Sequence, residues 1–191
     1  MSQRPIAILH VDGSLTEYLD KRGVLHKVAG LGGYLVVGGK IVDKFHRTLK
    51  DVPHMNHHEE YAIIEGLKWL KEKKINSVKI KSDSLNAVNL FTHNKHNLNK
   101  ADKFFLLQYM MIEYSFEWVE IIHHSRPDED LSHQLSREYL NDLPKNITKL
   151  HHENTKKKID YDICADAAYY CERDIVQILL SSMKEIQFML K

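Results

Sequence analysis

PIAILHVDG, residues 5–13, is a short apolar run that ends in an acid followed by a glycine. The positions that alternate before Asp12 are mostly apolar on both sides, which is typical of a central strand covered on both faces. A carboxylate left alone at the end of such a strand costs on the order of several kcal/mol unless it is paired or binds a cation. The run therefore predicts a buried strand that ends at a polar site. Taken alone, Asp12 and Gly13 also fit an ordinary turn.

The segments that follow predict a mixed α/β arrangement. Residues 30–37 and 40–49 are strand-like, and Gly38 and Gly39 between them indicate a hairpin. From residue 57 to residue 74, apolar side chains recur at helical spacing. The remaining elements are expected as strands at 78–81 and 115–123 and as helices at 85–91, 104–114 and 128–141. This alternation predicts a mixed sheet flanked by helices.

The length and composition fit one packed domain with an appendage. The chain has 191 residues, of which 43% are hydrophobic and 28% are charged, as in an ordinary globular protein. We expect a domain at 1–143 and, at 144–191, a polar linker followed by a C-terminal helical extension. The apolar stripe of this extension fits either a core face or a homodimer contact, and its members are Ile178, Leu179, Met183 and Ile186.

Targeting signals and cysteine usage point to the cytoplasm. No run of about 18 apolar residues is present, so we expect no membrane partner. The N-terminus lacks the order of segments that a secretory signal has. Cys164 and Cys171 lie about two turns apart on the expected helix, too far for an unstrained disulfide. A reducing, cytoplasmic setting is the simplest interpretation.

Two further acids stand where the fold would bring them close to Asp12. Glu60 lies in the first turn of the long helix, and Asp83 follows the strand at 78–81. Ligands of open α/β sheets gather at strand ends, and converging acids repel one another unless a metal supplies the countercharge. Oxygen ligands suit Mg²⁺ or Mn²⁺. Each acid also has a simpler explanation, since Glu60 favours the helix dipole and Asp83 can cap a helix.

Four segments together resemble type 1 ribonucleases H, in particular their compact reverse-transcriptase-like branch. They are ILHVDGS around Asp12, NHHEEYAIIEGL around Glu60, IKSDS around Asp83 and HHSRPDEDLSHQLSREYL near the end of the domain, and they span residues 5–140 in the order of that family. The resemblance implies a ribonuclease H-like mixed five-stranded sheet whose first three strands are antiparallel. It also implies hydrolysis of the RNA strand of RNA–DNA hybrids with two Mg²⁺ or Mn²⁺ ions.

The same resemblance assigns the catalytic and metal-binding residues. Asp12, Glu60 and Asp83 match the family acids, and His133 occupies a position that usually holds an aspartate. A neutral imidazole there replaces an oxygen ligand that Mg²⁺ prefers. Glu129, four residues earlier on the same helical face, is a further candidate ligand that would restore the charge. Weakened metal binding is the competing interpretation.

The resemblance also predicts contacts to nucleic acid. Asn56 matches a family asparagine that contacts the 2′-hydroxyl of RNA, whereas His57 replaces the second asparagine of that pair. Arg126 matches a family arginine. The full set of expected contacts is Gly13, Ser14, Asn56, His57, Ser84 and Arg126.

Two other functions stay open from the sequence. One is a nucleic-acid-binding protein of this fold whose catalysis is weak or lost because of His133. The other is a nuclease of the same fold that acts on another nucleic acid, because unrelated nucleases share this architecture.

Overall fold

A mixed β-sheet with helices against it forms the described part of the chain. The structure is a computed structural model, and it describes residues 6–93, 98–125, 130–143 and 148–150. The strands are β1 (Ala7–Leu19), β2 (Leu25–Val37), β3 (Lys40–Lys50), β4 (Ser77–Ser82), β5 (Trp118–His123) and β6 (Thr148–Leu150). The α-helices are α1 (His58–Glu72), α2 (Leu85–Thr92), α3 (Lys100–Glu113) and α4 (Leu131–Ser136), and 3-10 turns cover Met55–His57 and Glu138–Asp142.

The order of the strands confirms the predicted fold class. Five strands lie in the order β3-β2-β1-β4-β5, with β1, β2 and β3 antiparallel and with β4 and β5 parallel to β1. Gly38 and Gly39 form the predicted hairpin turn and both have positive φ, which glycine adopts without strain. The short strand β6 pairs with the outer end of β1.

Helix α1 is buried on almost every side, and it forms the centre of the apolar core. Residues 60–67 of α1 are all buried, and Trp69 and Leu70 continue the run. The helix packs on the sheet face that carries Leu9 and Val11, and Phe105 of α3 belongs to the same core. Burial of this much apolar surface is the main stabilising contribution to such a fold.

Helix α4 lies directly on the opposite face of the sheet because β2 carries glycines beneath it. A Cβ atom at Gly32 would lie 2.2 Å from the backbone nitrogen of Ser136, and one at Gly30 would lie 1.9 Å from the carbonyl oxygen of Ser136. Any other residue at these positions would push α4 away from the sheet. Gly30 and Gly32 therefore set how closely α4 approaches the sheet.

The helix expected at 128–141 ends earlier than predicted. A single helix is expected at 128–141, but α4 covers only Leu131–Ser136 and a 3-10 turn follows at Glu138–Asp142. The side chain of Asp130 caps α4 by accepting a hydrogen bond from the backbone N–H of Ser132 at 2.8 Å. Arg137 ends the helix with ψ near zero, so the chain turns there.

The chain divides into two units, Met1–His151 and His152–Lys191, and the second lies outside the described residues. The strand β6 falls inside the stretch 144–160 that is expected to be a linker. The predicted boundary after residue 143, the helical extension and its homodimer stripe stay predictions. Among the helices of the described ranges, none has the length and apolarity that crossing a membrane would require.

Candidate active site

The parallel pairing of β1 with β4 brings Asp12 and Asp83 to the same end of the sheet. His10 lies opposite Lys81 in the register, and each acid follows its strand partner by two residues. Asp12 is 1% exposed, and Asp83 is partly buried. The expectation that ligand groups gather at strand ends thus fits the position of both carboxylates.

The third carboxylate of this group belongs to Glu59, in the first turn of α1. One oxygen atom from each of Asp12, Glu59 and Asp83 lies within 4.8 Å of the other two. The backbone N–H of Gly13 donates a hydrogen bond to Oε2 of Glu59 at 3.1 Å. A Cβ atom at Gly13 would lie 2.5 Å from the carbonyl oxygen of His58, so glycine is what allows β1 and the start of α1 to approach. We call Asp12, Glu59 and Asp83 the acidic group.

Glu60 does not join the acidic group, in contrast to the expectation from the sequence. Its Oε1 atom lies 3.4 Å from Nδ1 of His57, and its side chain is 11% exposed. Successive residues on an α-helix point about 100° apart, so the carboxylates of Glu59 and Glu60 leave α1 in different directions. The structure thus gives Glu59 the place that the sequence pattern gave to Glu60.

Helix α4 holds Asp12 from the opposite side. The Ser136 hydroxyl donates to Oδ2 of Asp12 at 2.5 Å, and Nδ1 of His133 lies 3.2 Å from the same oxygen. Nε2 of His133 lies 3.5 Å from Arg137, whose guanidinium can only donate. An ionised carboxylate can only accept, so Nδ1 of His133 carries a proton that faces Asp12. In this arrangement His133 is a hydrogen-bond donor to Asp12 rather than a fourth member of the acidic group.

Burial keeps two nearby histidines neutral at physiological pH. Burial lowers the pKa of His10 to about 4, and the positive charges of Lys81 and His124 act in the same direction. Burial also lowers the pKa of His58, which precedes Glu59. Neutral imidazoles do not balance the charge of three carboxylates. A set of three converging oxygen ligands fits a hard divalent cation such as Mg²⁺ or Mn²⁺.

Ser14, Ser84, Asn56 and His57 are the other predicted contact residues that the structure describes. The hydroxyl of Ser14 donates to the carbonyl oxygen of Ser136 at 2.6 Å, which ties β1 to α4. Ser84 caps α2 by accepting from the backbone N–H of Ala87 at 3.3 Å, so the cap is Ser84 rather than Asp83. Asn56 is exposed just before α1, and His57 is partly buried. Arg126 and Glu129 lie outside the described residues.

Three residues near the site escape a prediction from sequence. Glu59 is adjacent to the acid that the pattern favours, and Ser136 appears as an ordinary polar residue. Lys27 approaches Asn56 from β2, with Nζ 3.2 Å from Oδ1 of Asn56. A signal for Ser136 does exist: Ser132 and Ser136 are four residues apart, so they share the helix face that packs on Gly30 and Gly32.

Comparisons with known proteins agree with this architecture. The family model described as reverse transcriptase-like matches residues 27–139, more than half of the chain. No curated protein sequence matches the chain. Among solved structures, ribonuclease H1 from the halophilic archaeon Halobacterium salinarum is 21% identical, with a TM-score of 0.59, over 72% of this chain and 98% of its own. The fold class predicted from the sequence is therefore confirmed.

Two more solved structures share the fold. The N-terminal ribonuclease H domain of a Mycobacterium tuberculosis protein is 12% identical, with a TM-score of 0.57, over 72% of this chain and 95% of its own. LC11 ribonuclease H1, isolated from compost, was solved with an RNA/DNA hybrid. It is 16% identical, with a TM-score of 0.58, over 71% of this chain and 97% of its own. By its family match and its fold, this chain belongs to the reverse transcriptase-like family, with a ribonuclease H-like domain.

Proposed function

We propose that this protein is a metal-dependent endoribonuclease that hydrolyses the RNA strand of RNA–DNA hybrids. The observation that carries the proposal is the acidic group, in which Asp12, Glu59 and Asp83 converge within 4.8 Å. Asp12 is almost fully buried, and an acid in that position is a costly feature for the fold alone. Clustered carboxylates of this kind concentrate at functional sites.

The residues of the chain supply orientation and charge for the reaction. Asp12, Glu59 and Asp83 are the residues that would hold the cation, and Ser136 and His133 fix the Asp12 carboxylate by donating to its Oδ2 atom. Bound Mg²⁺ or Mn²⁺ would supply Lewis acidity and a lower pKa for an attacking water. The oxygens of the acidic group set where the scissile phosphate can approach.

The number of ions depends on Asp12 and His133. Asp12 and His133 are the residues that would hold a second ion, and Oδ2 of Asp12 already accepts hydrogen bonds from Ser136 and His133. These two hydrogen bonds would compete with a second ion for the same carboxylate oxygen. We propose two ions, with the second bound more weakly than the first.

The choice of an RNA–DNA hybrid as substrate rests on likeness and on one local feature. LC11 ribonuclease H1, which shares the fold, was solved with an RNA/DNA hybrid. In this chain Asn56 is exposed three residues before Glu59, where a bound strand could reach both its amide and the acidic group. Such a strand would be recognised through the 2′-hydroxyl groups that distinguish RNA from DNA.

Digestion of an end-labelled RNA–DNA hybrid tests the proposal. We expect internal cuts in the RNA strand with Mg²⁺ or Mn²⁺ and none with chelator, while duplex DNA of the same sequence stays intact. Cleavage that persists in chelator would refute the metal dependence. Preferred cleavage of duplex DNA or of single-stranded RNA would move the chain to another nuclease of the same fold.

Glu59 and Glu60 form a matched pair for testing the acidic group. Glu59→Gln removes a carboxylate of the group, so we expect hydrolysis of the hybrid to fall by roughly a hundredfold or more. Glu60→Gln changes a neighbour that faces His57, so we expect activity within about threefold of wild type. The reverse order of effects would restore Glu60 as the ligand and remove Glu59.

A second candidate function is binding of hybrids with slow cleavage. The observation in its favour is that His133 donates to Asp12 at a position where family members usually carry an acid. The two candidates differ in the rate of cleavage. A single-turnover rate measured with saturating protein separates slow cleavage from weak binding. A measurable hybrid affinity together with no metal-dependent cuts would favour this candidate.

A further inference from the structure

The amide of Asn56 is held by a lysine from a neighbouring strand. Nζ of Lys27, on β2, lies 3.2 Å from Oδ1 of Asn56 and 2.6 Å from Oε1 of Glu17. Glu17 stands directly opposite Lys27 in the pairing of β1 with β2. The ammonium group is thus held on the strand side by Glu17, and it reaches the amide just before α1.

This contact determines which end of the amide faces outward. An ammonium group has three donors and no acceptor, so the side chain of Asn56 must turn its oxygen toward Lys27. Its NH₂ group, which carries two donors, then points away from Lys27, at the opposite end of the planar amide. Asn56 is exposed, so a ligand can meet this NH₂ group.

We propose that Lys27 is a positioning residue that makes Asn56 a donor-only contact to the substrate. The inference rests on the proposed function and assigns a chemistry to Asn56. A fixed NH₂ group recognises hydrogen-bond acceptors, and the acceptors available in the minor groove of a hybrid are the ribose 2′-oxygen, purine N3 and pyrimidine O2. Without Lys27 the amide can rotate and present its oxygen, which accepts rather than donates and so cannot pair with purine N3, pyrimidine O2 or a lone pair of the 2′-oxygen.

Direct contact between Lys27 and a phosphate is the alternative that the geometry disfavours. The Lys27 charge is offset by Glu17, whose side chain is only 13% exposed, and the Lys27 side chain is 34% exposed. A lysine that neutralises a phosphate changes the salt dependence of binding by about one unit of slope. A positioning lysine leaves that slope unchanged.

A set of variants at both positions tests the inference. The readouts are KM and kcat for hybrid cleavage, and the affinity of a fluorescent hybrid measured with Ca²⁺ in place of Mg²⁺. We expect Lys27→Met to raise KM and the dissociation constant about fivefold, the range of one neutral hydrogen bond, with kcat within about twofold. Lys27→Arg keeps a donor and restores most of the affinity.

The decisive comparison is with Asn56. Asn56→Asp keeps an oxygen for Lys27 but loses the NH₂ donors, so it should bind as weakly as Asn56→Ala. If Lys27 acts through Asn56, the double variant Lys27→Met with Asn56→Ala is no weaker than Asn56→Ala alone. Lys73→Gln, which removes a lysine paired with Asp43 near the C-terminal end of α1, is the control for lost charge and should match wild type.

Three results would overturn the inference. Effects of Lys27→Met and Asn56→Ala that multiply in the double variant would show independent contacts. A salt slope that falls by about one in Lys27→Met would make Lys27 a phosphate contact. Asn56→Asp with wild-type affinity would show that the NH₂ group is not the contact. The failure of the proposed function is distinct: the wild-type protein would then neither cut nor bind the hybrid.

Discussion

Two buried acids, Glu65 on helix α1 and Asp12 beside the start of that helix, have opposite surroundings. Glu65, in the middle of α1, is 7% exposed and is flanked by Arg47 at 2.9 Å and Lys68 at 2.6 Å. Asp12, beside the start of α1, is 1% exposed and shares its surroundings with the carboxylates of Glu59 and Asp83. Its hydrogen bonds to α4 come from the hydroxyl of Ser136 and the imidazole of His133.

The difference teaches how to separate a structural acid from a functional one. The charge of Glu65 is balanced by Arg47 and Lys68, so no external cation is required. The ion pair with Arg47 connects β3 and α1. The acidic group brings three carboxylates within 4.8 Å of one another, and a bound cation would relieve their mutual repulsion. Burial alone does not distinguish the two cases, whereas the close approach of other carboxylates does.

The largest expected effect comes from removing the charge at the centre of the acidic group. Asp12→Asn should lower hybrid cleavage by roughly a thousandfold, because the cation loses its most buried ligand. The free energy of unfolding without metal should stay the same or rise, since repulsion among the acids falls. In wild type, Mg²⁺ or Mn²⁺ should raise Tm, and this rise should vanish in Asp12→Asn. An unchanged Tm rise would remove Asp12 from the metal site.

The opposite pattern is expected at Glu65. Glu65→Gln leaves Arg47 and Lys68 without their buried partner, so the free energy of unfolding should fall by about 2 kcal/mol, while hybrid cleavage stays within twofold. Lys68→Gln is the matched control, because its side chain is 42% exposed and its loss should cost about 0.5 kcal/mol. Urea denaturation and the cleavage assay on the same preparations check both values. A large loss of activity in Glu65→Gln would break the comparison.

A fourth acid beside Asp12 should strengthen metal binding and increase the charge repulsion that Glu65 avoids. His133→Asp places a carboxylate where Nδ1 of His133 now lies 3.2 Å from Asp12. We expect metal affinity to rise about tenfold and cleavage to increase, while Tm without metal falls because a fourth like charge is added. Isothermal titration with Mn²⁺ measures the affinity and the number of ions. His133→Ala controls for the lost imidazole, and equal affinities in the two variants would contradict the expectation.

The smallest effect is expected at His26, which forms ion pairs near the surface with Asp20 and Asp51. His26 lies 3.4 Å from both Asp51 and Asp20, and these carboxylates, Asp51 foremost, raise the pKa of His26. Its contribution to stability is then complete below the unfolded pKa of about 6.5 and is lost as pH rises through the folded pKa. His26→Gln should therefore destabilise the protein more at about pH 5.5 than at about pH 8.5. Equal differences at both pH values would show that the ion pairs contribute nothing.

The sheet and two of its acids could be predicted because their signals are local. Three local signals each predict one structural feature. They are an apolar run that ends in Asp12, a glycine pair between two strand-like segments and a strand that ends before Asp83. Strand pairing then brings Asp12 and Asp83 together, since parallel strands end at the same edge of the sheet. The predicted hairpin follows from the same local rules, whereas the five-stranded sheet with its first three strands antiparallel is what the family resemblance implies.

The choice between Glu59 and Glu60 could not be made from the sequence. A surface helix has one apolar stripe that fixes which way each residue points, but α1 is buried on nearly all sides from residue 60 to residue 67. With no exposed face, the pattern leaves the direction of its first turn undetermined. The roles of Ser136 and Lys27 depend on packing across β2, which no short-range pattern records.

The strand β6 determines where the chain can be shortened safely. Beyond its pairing with β4, the outer half of β1 has β2 on one side, and on the other side Glu17–Leu19 pair with Thr148–Leu150. A protein that stops at residue 143 would leave this stretch with open amide and carbonyl groups, and an open edge recruits a strand from another molecule. Self-association of such a truncated form would then report the missing strand rather than a natural assembly, so a truncation that ends after residue 151 is the sound choice for testing whether the native chain dimerises.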